Sequence, residues 1–245
     1  MVKGAGKKRA DKLTRFMQEC SFPSAQKDLL VQALTHPNFF EGIRKEIPED
    51  NQRLEFLGDA VLDLVVGEFL FHAYPAAREG VLSKMRAALV CEAALAQLAR
   101  EMGLGQLLRL GKGGEAGGDR QRSSVLADAF EALVGAIYEA EGYLAARSFI
   151  ELHFLPLIEN LTRDDFEDKK SLLQELTQRD TGCGVSYGLL STNGPDHAPR
   201  FESGAYCGEL LVGRGWGGSK KESEQAAAAA ALAAQSKWLP LISKK

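Results

Sequence analysis

The sequence predicts an all-α domain followed by a small α+β domain with the element order α-β-β-β-α. Up to about residue 155, apolar residues recur at the three- and four-residue spacing of amphipathic helices. Residues 161–168 are polar and charged, which is the composition of a linker. From Lys169 onward, short strand-like runs are separated by Gly, Pro, Asn and Asp.

Composition indicates a soluble protein of a reducing compartment. With 245 residues and 45% hydrophobic content, the chain can bury a core in one or two domains. The four cysteines form no C-x-x-C pair and no zinc-ligand spacing, so we expect free thiols and no disulfide framework. The basic N-terminus has no apolar run behind it, and no stretch is apolar enough to span a bilayer. We therefore expect a cytoplasmic protein that does not enter a membrane.

The first domain is predicted over residues 11–160, after a basic tail at residues 1–10. Helices are expected over residues 11–19, from Ser24 or Gln26 to Leu34, and over residues 51–71, 84–98, 123–141 and 145–155. Ser83 is the expected N-cap of the helix at residues 84–98. His36 ends the second helix and lies near no Ser or Cys nucleophile pattern, which favours a hydrogen-bonded structural role.

Two of these apolar helices carry paired carboxylates. Glu55 and Asp59 are four residues apart, and Asp128 and Glu131 are three apart, so each pair shares one helix face. A single pair indicates only a solvated face. Two pairs in apolar helices indicate one metal site, because burying carboxylates is costly without a compensating cation. Oxygen ligands without His or Cys suit Mg²⁺ better than zinc.

Gly58 lies between the first two acids, in the middle of a predicted helix. A glycine there costs about 1 kcal/mol relative to alanine. Its presence indicates that another backbone or a ligand passes close to this point.

The acidic segments resemble a known family. Residues 51–59, Asn-Gln-Arg-Leu-Glu-Phe-Leu-Gly-Asp, closely resemble the signature helix of ribonuclease III, and residues 128–138 resemble that family's second acidic motif. The resemblance implies that four residues bind the metal: Glu55, Asp59, Asp128 and Glu131. It implies that Asp59 and Glu131 are also catalytic. It implies Mg²⁺ as the cofactor, with Mn²⁺ able to replace it.

The same resemblance extends to the edges of this site. It implies that Glu79 lies near the active cleft, together with Gln52, which stands where bacterial members usually have Glu. The glycine-rich stretch at residues 110–119 lacks the Gly-Lys-Ser/Thr ending of a phosphate-binding loop. We expect instead a flexible loop that carries Lys112, Arg120 and Arg122 toward an RNA backbone.

The second domain, residues 169–238, has the pattern of a double-stranded-RNA-binding domain. A helix near residues 172–176 precedes strands at 185–191, 200–206 and 209–216, and a last helix at 225–235 is introduced by the N-cap Ser219. The string Gly-Ser-Lys-Lys-x-x-Glu-Gln-Ala-Ala at residues 218–227 resembles the end of such domains. The resemblance implies that RNA contacts come from Lys112 in the first domain and, in the second, from Gln174, His197, Ser219, Lys220 and Lys221. Glu224 stands where many such domains have a third basic residue.

Net charge alone says little about nucleic acid. Residues 168–245 carry ten Lys and Arg against eight Asp and Glu, whereas the remainder carries 20 against 25. The acidic first part suits a cation site, and the second part is only weakly basic.

The resemblance covers about residues 11–236 and implies a homodimeric, Mg²⁺-dependent endoribonuclease that cuts double-stranded RNA. The implied products carry 5′-phosphates and short 3′ overhangs, and the implied role is processing of ribosomal and other RNA precursors. A Mg²⁺ pair could activate the attacking water and stabilise the leaving oxygen. The alternative is a non-catalytic double-stranded-RNA-binding protein, which would be expected to have lost one of the four acids. A small-molecule phosphohydrolase would need His ligands and leaves the second domain without a role.

Overall fold

A computed structural model describes residues 11–18, 20, 22–40, 50–162, 166–195 and 197–242. The predicted tail at residues 1–10 lies outside these ranges. The chain divides into two compact units, Met1–Phe166 and Glu167–Lys245. Within the described ranges, no helix is both long and apolar enough to cross a membrane.

The first unit is helical, as predicted. Its helices are α1 (residues 11–18), α2 (Lys27–Ala33), α3 (Gln52–Ala73), α4 (Glu79–Leu89), α5 (Glu92–Glu101), α6 (Lys112–Gly117), α7 (Ser123–Glu141) and α8 (Tyr143–Glu159). Helix α7 is buried on nearly every side, and α2, α3, α5 and α8 pack against it. A helix that is apolar all round belongs in the centre of a core.

Helices α3 and α7 approach each other at two glycines. A Cβ atom on Gly58 would overlap the backbone oxygen of Glu131, and one on Gly135 would overlap the backbone oxygen of Leu54. The prediction that another backbone passes close to Gly58 is therefore confirmed. This contact places the acidic segments of both helices side by side.

Two predicted helix boundaries are wrong. Helix α4 begins at Glu79, so Ser83 lies inside it and its hydroxyl donates a hydrogen bond of 2.7 Å to Glu79 Oε1. An acid in the first turn is stabilised by the helix dipole, which favours this earlier start. The predicted helix at residues 84–98 is also two helices, because Cys91 is extended and directly precedes α5.

The second unit has the predicted α-β-β-β-α order, followed by one more helix. Its elements are α9 (Lys169–Thr181), β1 (Val185–Asn193), β2 (Arg200–Cys207), β3 (Leu210–Gly217), α10 (Lys220–Ala233) and α11 (Gln235–Ile242). The strands form an antiparallel sheet in the order β1-β2-β3. Helix α10 begins directly after Ser219, which confirms the predicted N-cap, so the helix extends five residues before the predicted run at 225–235.

Helix α10 lies unusually close to strand β3. Cβ atoms on Gly213, Gly215 and Gly217 would collide with the backbone of α10. Small residues on both sides, glycine in the strand and alanine in the helix, permit this approach. The close packing gives the alanine-rich sequence of α10 a structural reason and fixes the position of its N-terminus on the sheet.

Candidate metal centre and nucleic-acid interface

Three carboxylates from the two central helices converge. Glu55 of α3 and Asp128 and Glu131 of α7 each offer an oxygen atom, and these atoms lie within 4.8 Å of one another. All three residues are half-buried. The glycine contact between α3 and α7 brings the two helices close enough for this cluster to form.

Burial and mutual repulsion raise the pKa values of these acids. Desolvation, followed by the charges of Asp59, Glu55, Asp128 and Asp63, raises the pKa of Glu131 to about 8. Desolvation also raises the pKa of Asp128. It raises the pKa of Glu55 too, with further contributions from the charges of Asp128, Asp50 and Asp59.

This arrangement fits a divalent cation. Like charges at this separation oppose ionisation of the whole group, and a bound cation would reverse that effect. The ligand atoms are all carboxylate oxygens, which suit Mg²⁺ or Mn²⁺. The structure thus provides the chemistry of a hard-cation site.

Asp59 lies at the edge of this group. Its side chain is exposed, and the cluster of three mutually close carboxylates does not include it. Its charge is nevertheless the largest electrostatic contribution, after desolvation, to the raised pKa of Glu131. Asp59 therefore belongs to the same electrostatic environment as the other three predicted ligands.

His36 lies near the acids, which no sequence pattern indicated. The charge of His36 lowers the pKa of Asp128, although burial of that carboxyl has the larger, opposite effect. The His36 ring accepts a hydrogen bond of 3.2 Å at Nδ1 from the backbone of Asn38, as expected of a structural histidine. A backbone bridge between Thr35 and Arg109, far apart in sequence, positions this segment.

The glycine-rich stretch differs from its prediction. Residues Lys112–Gly117 form the short helix α6 rather than a flexible loop. Arg120 has a structural role. It pairs with Glu115 and donates hydrogen bonds of 2.7 and 2.9 Å to the carbonyls of Gly105 and Leu108. Arg122 forms an ion pair of 2.9 Å with the buried Asp119. Lys112 is exposed at the start of α6 and stays a candidate RNA contact.

The two predicted cleft residues are both exposed. Gln52 is the first residue of α3, and its backbone N–H donates to Asp50 Oδ1 at 3.2 Å. Glu79 accepts the hydrogen bond from Ser83 and is not a member of the carboxylate cluster among the residues that the structure describes.

The predicted RNA contacts of the second unit occupy three places. Gln174 lies on α9, where its Oε1 accepts a hydrogen bond of 2.8 Å from the backbone of Val185. His197 is exposed in the connection between β1 and β2. Lys220 and Lys221 are exposed in the first turn of α10, and Ser219 caps that helix by accepting from the backbone of Glu222 at 3.2 Å.

Glu224 has a partner within its own domain. Its carboxylate accepts a hydrogen bond of 2.6 Å from Lys170 Nζ, and Lys170 also lies 4.4 Å from the centre of the Tyr187 ring. The acid at this position therefore pairs with a lysine of α9.

Comparison with known proteins identifies both units. The family profile described as Ribonuclease-III-like matches residues 26–158, and the Double-stranded RNA binding motif matches residues 169–235. The chain belongs to the ribonuclease III family. It is 46% identical over 226 residues to Ribonuclease 3 of Moorella thermoacetica, covering 92% of this chain and 96% of the relative. With Ribonuclease 3 of Bacillus licheniformis it shares 43% identity over 230 residues, covering 94% and 92%.

A solved structure also resembles the first unit of this ribonuclease III. The nuclease domain of ribonuclease III from Campylobacter jejuni aligns with a TM-score of 0.52 and 42% identity, covering 57% of this chain and 96% of that domain. The protein is an endoribonuclease of the class that acts on double-stranded RNA. Membership of this enzyme family favours an endoribonuclease over the alternative of a non-catalytic double-stranded-RNA-binding protein.

Proposed function

We propose that this ribonuclease III hydrolyses both strands of an RNA duplex with Mg²⁺ held by Glu55, Asp128 and Glu131, with Asp59 at the rim. The observation that carries this proposal is the convergence of three half-buried carboxylates from two helices within 4.8 Å. Mn²⁺ offers the same preference for oxygen ligands and is the expected substitute. The expected products carry 5′-phosphates and short 3′ overhangs.

The cation and the protein side chains would have different roles in the reaction. A bound divalent cation supplies a Lewis acid for the phosphate and lowers the pKa of water. The protein contributes the half-buried carboxylates that retain the cation, and the glycine contact between α3 and α7 that keeps them together. We assign Asp59 and Glu131 the catalytic role, with Glu131 as the most strongly perturbed acid of the group.

A homodimer is the second part of the proposal. Phe56, Ala60 and Leu64 recur at four-residue spacing on the solvent face of α3, and Phe56 and Leu64 are 80% and 61% exposed. Exposed large apolar side chains on one helix face are typical of an interface. In the nuclease domain of Campylobacter jejuni ribonuclease III, structural flexibility occurs in a region involved in dimer formation. A two-fold axis would present one carboxylate cluster to each antiparallel strand of a duplex.

The second unit is proposed to hold the duplex. Double-stranded-RNA-binding domains recognise A-form shape through minor-groove 2′-hydroxyls and intervening phosphates. Lys220 and Lys221 lie at the N-terminal end of α10, where the helix dipole favours a phosphate. Stems in ribosomal and other RNA precursors are the substrates that family membership suggests.

Cleavage of a long RNA duplex in Mg²⁺ tests the metal site. The Glu131→Gln variant should bind the duplex like the parent but cut it at least ~100-fold more slowly, because a charged ligand is lost. Glu139→Gln is the matched control, since Glu139 is an exposed acid of the same helix. Unchanged cutting by Glu131→Gln would remove the proposed mechanism.

Sedimentation tests the dimer. Phe56→Glu should convert a dimer of the parent into a monomer, because the charge would be buried at the proposed contact. Leu241→Glu is the control, since Leu241 is 72% exposed in the second unit. A monomeric parent, or a dimer that survives Phe56→Glu unchanged, would contradict this interface.

A further inference from the structure

Two cysteines pack into the core of the second unit. Cys207 is the last residue of β2 and is only 3% exposed, and Cys183 is a half-buried residue in the short connection between α9 and β1. Both pack into the same apolar cluster. The cluster thus contains a pair of thiols, one of which is partly open to solvent.

Strand register places Cys183 close to Cys207. Val185 of β1 lies directly opposite Cys207 of β2. Cys183 precedes Val185 by two residues, so in an extended segment its side chain points to the same side of the sheet. Burial, followed by the neighbouring Cys183 thiol, raises the pKa of Cys207, which agrees with this placement.

The backbone around both cysteines can adjust to the geometry of a disulfide. A disulfide requires Cα atoms less than about 7 Å apart and a defined dihedral angle at the sulfurs. Gly182 and Gly208 have positive φ values of 72° and 61°, and Gly184 follows Cys183 directly. Glycines on both sides of Cys183 and directly after Cys207 allow small backbone rotations at little cost.

We propose that Cys183 and Cys207 form a reversible intramolecular disulfide when a peroxide reaches the protein, linking the end of α9 to the end of β2. The partly accessible Cys183 thiol is oxidised by the peroxide to a sulfenic acid, and one water is released. The Cys207 thiol then attacks that sulfur, the S–S bond forms and a second water leaves. Two thiols are oxidised and one peroxide is reduced, so the reaction balances.

The bridge lies beside a residue assigned to RNA binding. Gln174 of α9 accepts a hydrogen bond from the backbone N–H of Val185, two residues after Cys183. Oxidation would therefore fix the connection between α9 and β1 in the register seen in the reduced protein. A bridge compatible with that register should raise the unfolding midpoint of the second unit, since it restricts the unfolded chain.

Peptide mapping of the full-length protein gives a direct test. The reduced protein is treated with hydrogen peroxide, its remaining thiols are alkylated, and it is digested with trypsin without a reductant. Cleavage at Arg179, Arg200 and Arg214 separates Cys183 and Cys207 into peptides 180–200 and 201–214. The proposal predicts that these peptides are recovered as one disulfide-linked species from chains that are not crosslinked to one another, and that a thiol reductant separates them.

Variants distinguish this bridge from general oxidation. Cys183→Ser and Cys207→Ala should each abolish the linked species, whereas Cys91→Ser, which changes an exposed thiol of the first unit, should leave it. The unfolding midpoint of the second unit should rise on oxidation in the parent and in Cys91→Ser only. Recovery of the two peptides unlinked, links only between different chains, or a bridge that lowers the midpoint would overturn the proposal.

Discussion

A methyl group on Gly58 would overlap the backbone carbonyl oxygen of Glu131. The residue that allows α3 to approach α7 thus contacts the backbone of the acid whose pKa is most strongly raised. The contact between the two helices and the geometry of the carboxylate cluster therefore depend on the same pair of residues.

The first prediction concerns this contact. Gly58→Ala should lower the free energy of unfolding by about 1–3 kcal/mol, because overpacking forces the two backbones apart. It should also abolish cleavage by displacing Glu131 from Glu55. Urea unfolding and a duplex-cleavage assay measure the two effects.

Gly67→Ala is the matched control on the same helix. The nearest atoms to a Cβ on Gly67 belong to the Arg86 side chain, at 3.9 Å. This substitution should stabilise the protein by up to about 1 kcal/mol through helix propensity, with cleavage retained. Equal effects of the two substitutions would contradict the special role of Gly58.

The second prediction concerns pH in the absence of divalent cations. The folded protein holds a proton on Glu131 up to a pKa of about 8, whereas an unfolded glutamate has its ordinary, much lower pKa. The resulting stabilisation is present below the unfolded pKa and is lost as the pH rises through about 8. The pKa values of Asp128 and Glu55 are raised in the same direction.

Thermal unfolding in EDTA measures this dependence. The parent should become less stable between pH 6 and pH 8.5, and Glu131→Gln should lose a large part of that change. Mg²⁺ should restore stability to the parent mainly at the higher pH. Parallel pH profiles for parent and variant would show that Glu131 titrates normally.

The third prediction separates two basic residues around the glycine-rich stretch. Arg120→Ala should lower the free energy of unfolding by about 1–3 kcal/mol, because it leaves the carbonyls of Gly105 and Leu108 without their donor. Lys112→Ala should change stability by less than about 0.5 kcal/mol and should weaken duplex binding. Urea unfolding and a binding titration measure the two effects. A Lys112→Ala variant less stable than Arg120→Ala would contradict these separate roles.

The fourth prediction concerns the charge balance of the RNA-binding domain. Glu224→Gln should tighten duplex binding, because it removes a negative charge and releases Lys170 from its ion pair. Lys220→Ala should weaken binding and make the slope of log K against log salt concentration less steep by about one. Glu209→Gln, at an exposed acid between β2 and β3, is the control for charge alone. The prediction is wrong if Glu224→Gln and Glu209→Gln have the same effect on affinity.

The parts of the fold that sequence predicted are those that local pattern determines. Apolar spacing located the acidic helices, and the unusual position of Gly58 indicated a close backbone. The break at Cys91 and the extra helix α11 carry no comparable local signal. Trp238 holds α11 in place by donating a hydrogen bond of 2.7 Å to the carbonyl of Ala231 in the preceding helix.

The candidate site was predictable in composition but not in arrangement. Residue types and spacing indicated four carboxylates at one metal site, but they did not indicate that Asp59 lies at the edge of the other three. The proximity of His36 depends on the Thr35–Arg109 bridge, and the structural use of Arg120 depends on carbonyls 12 and 15 residues away. Both are contacts between segments that no periodicity links.

Whether the three converging carboxylates hold a divalent cation can be decided by a crystal structure of the protein with Mn²⁺, located by anomalous scattering. We expect an anomalous peak coordinated by carboxylate oxygens of Glu55, Asp128 and Glu131, and its loss in Glu131→Gln crystals but not in Glu139→Gln crystals. A peak elsewhere in the first unit, or none at this cluster at saturating Mn²⁺, would contradict the proposed metal site.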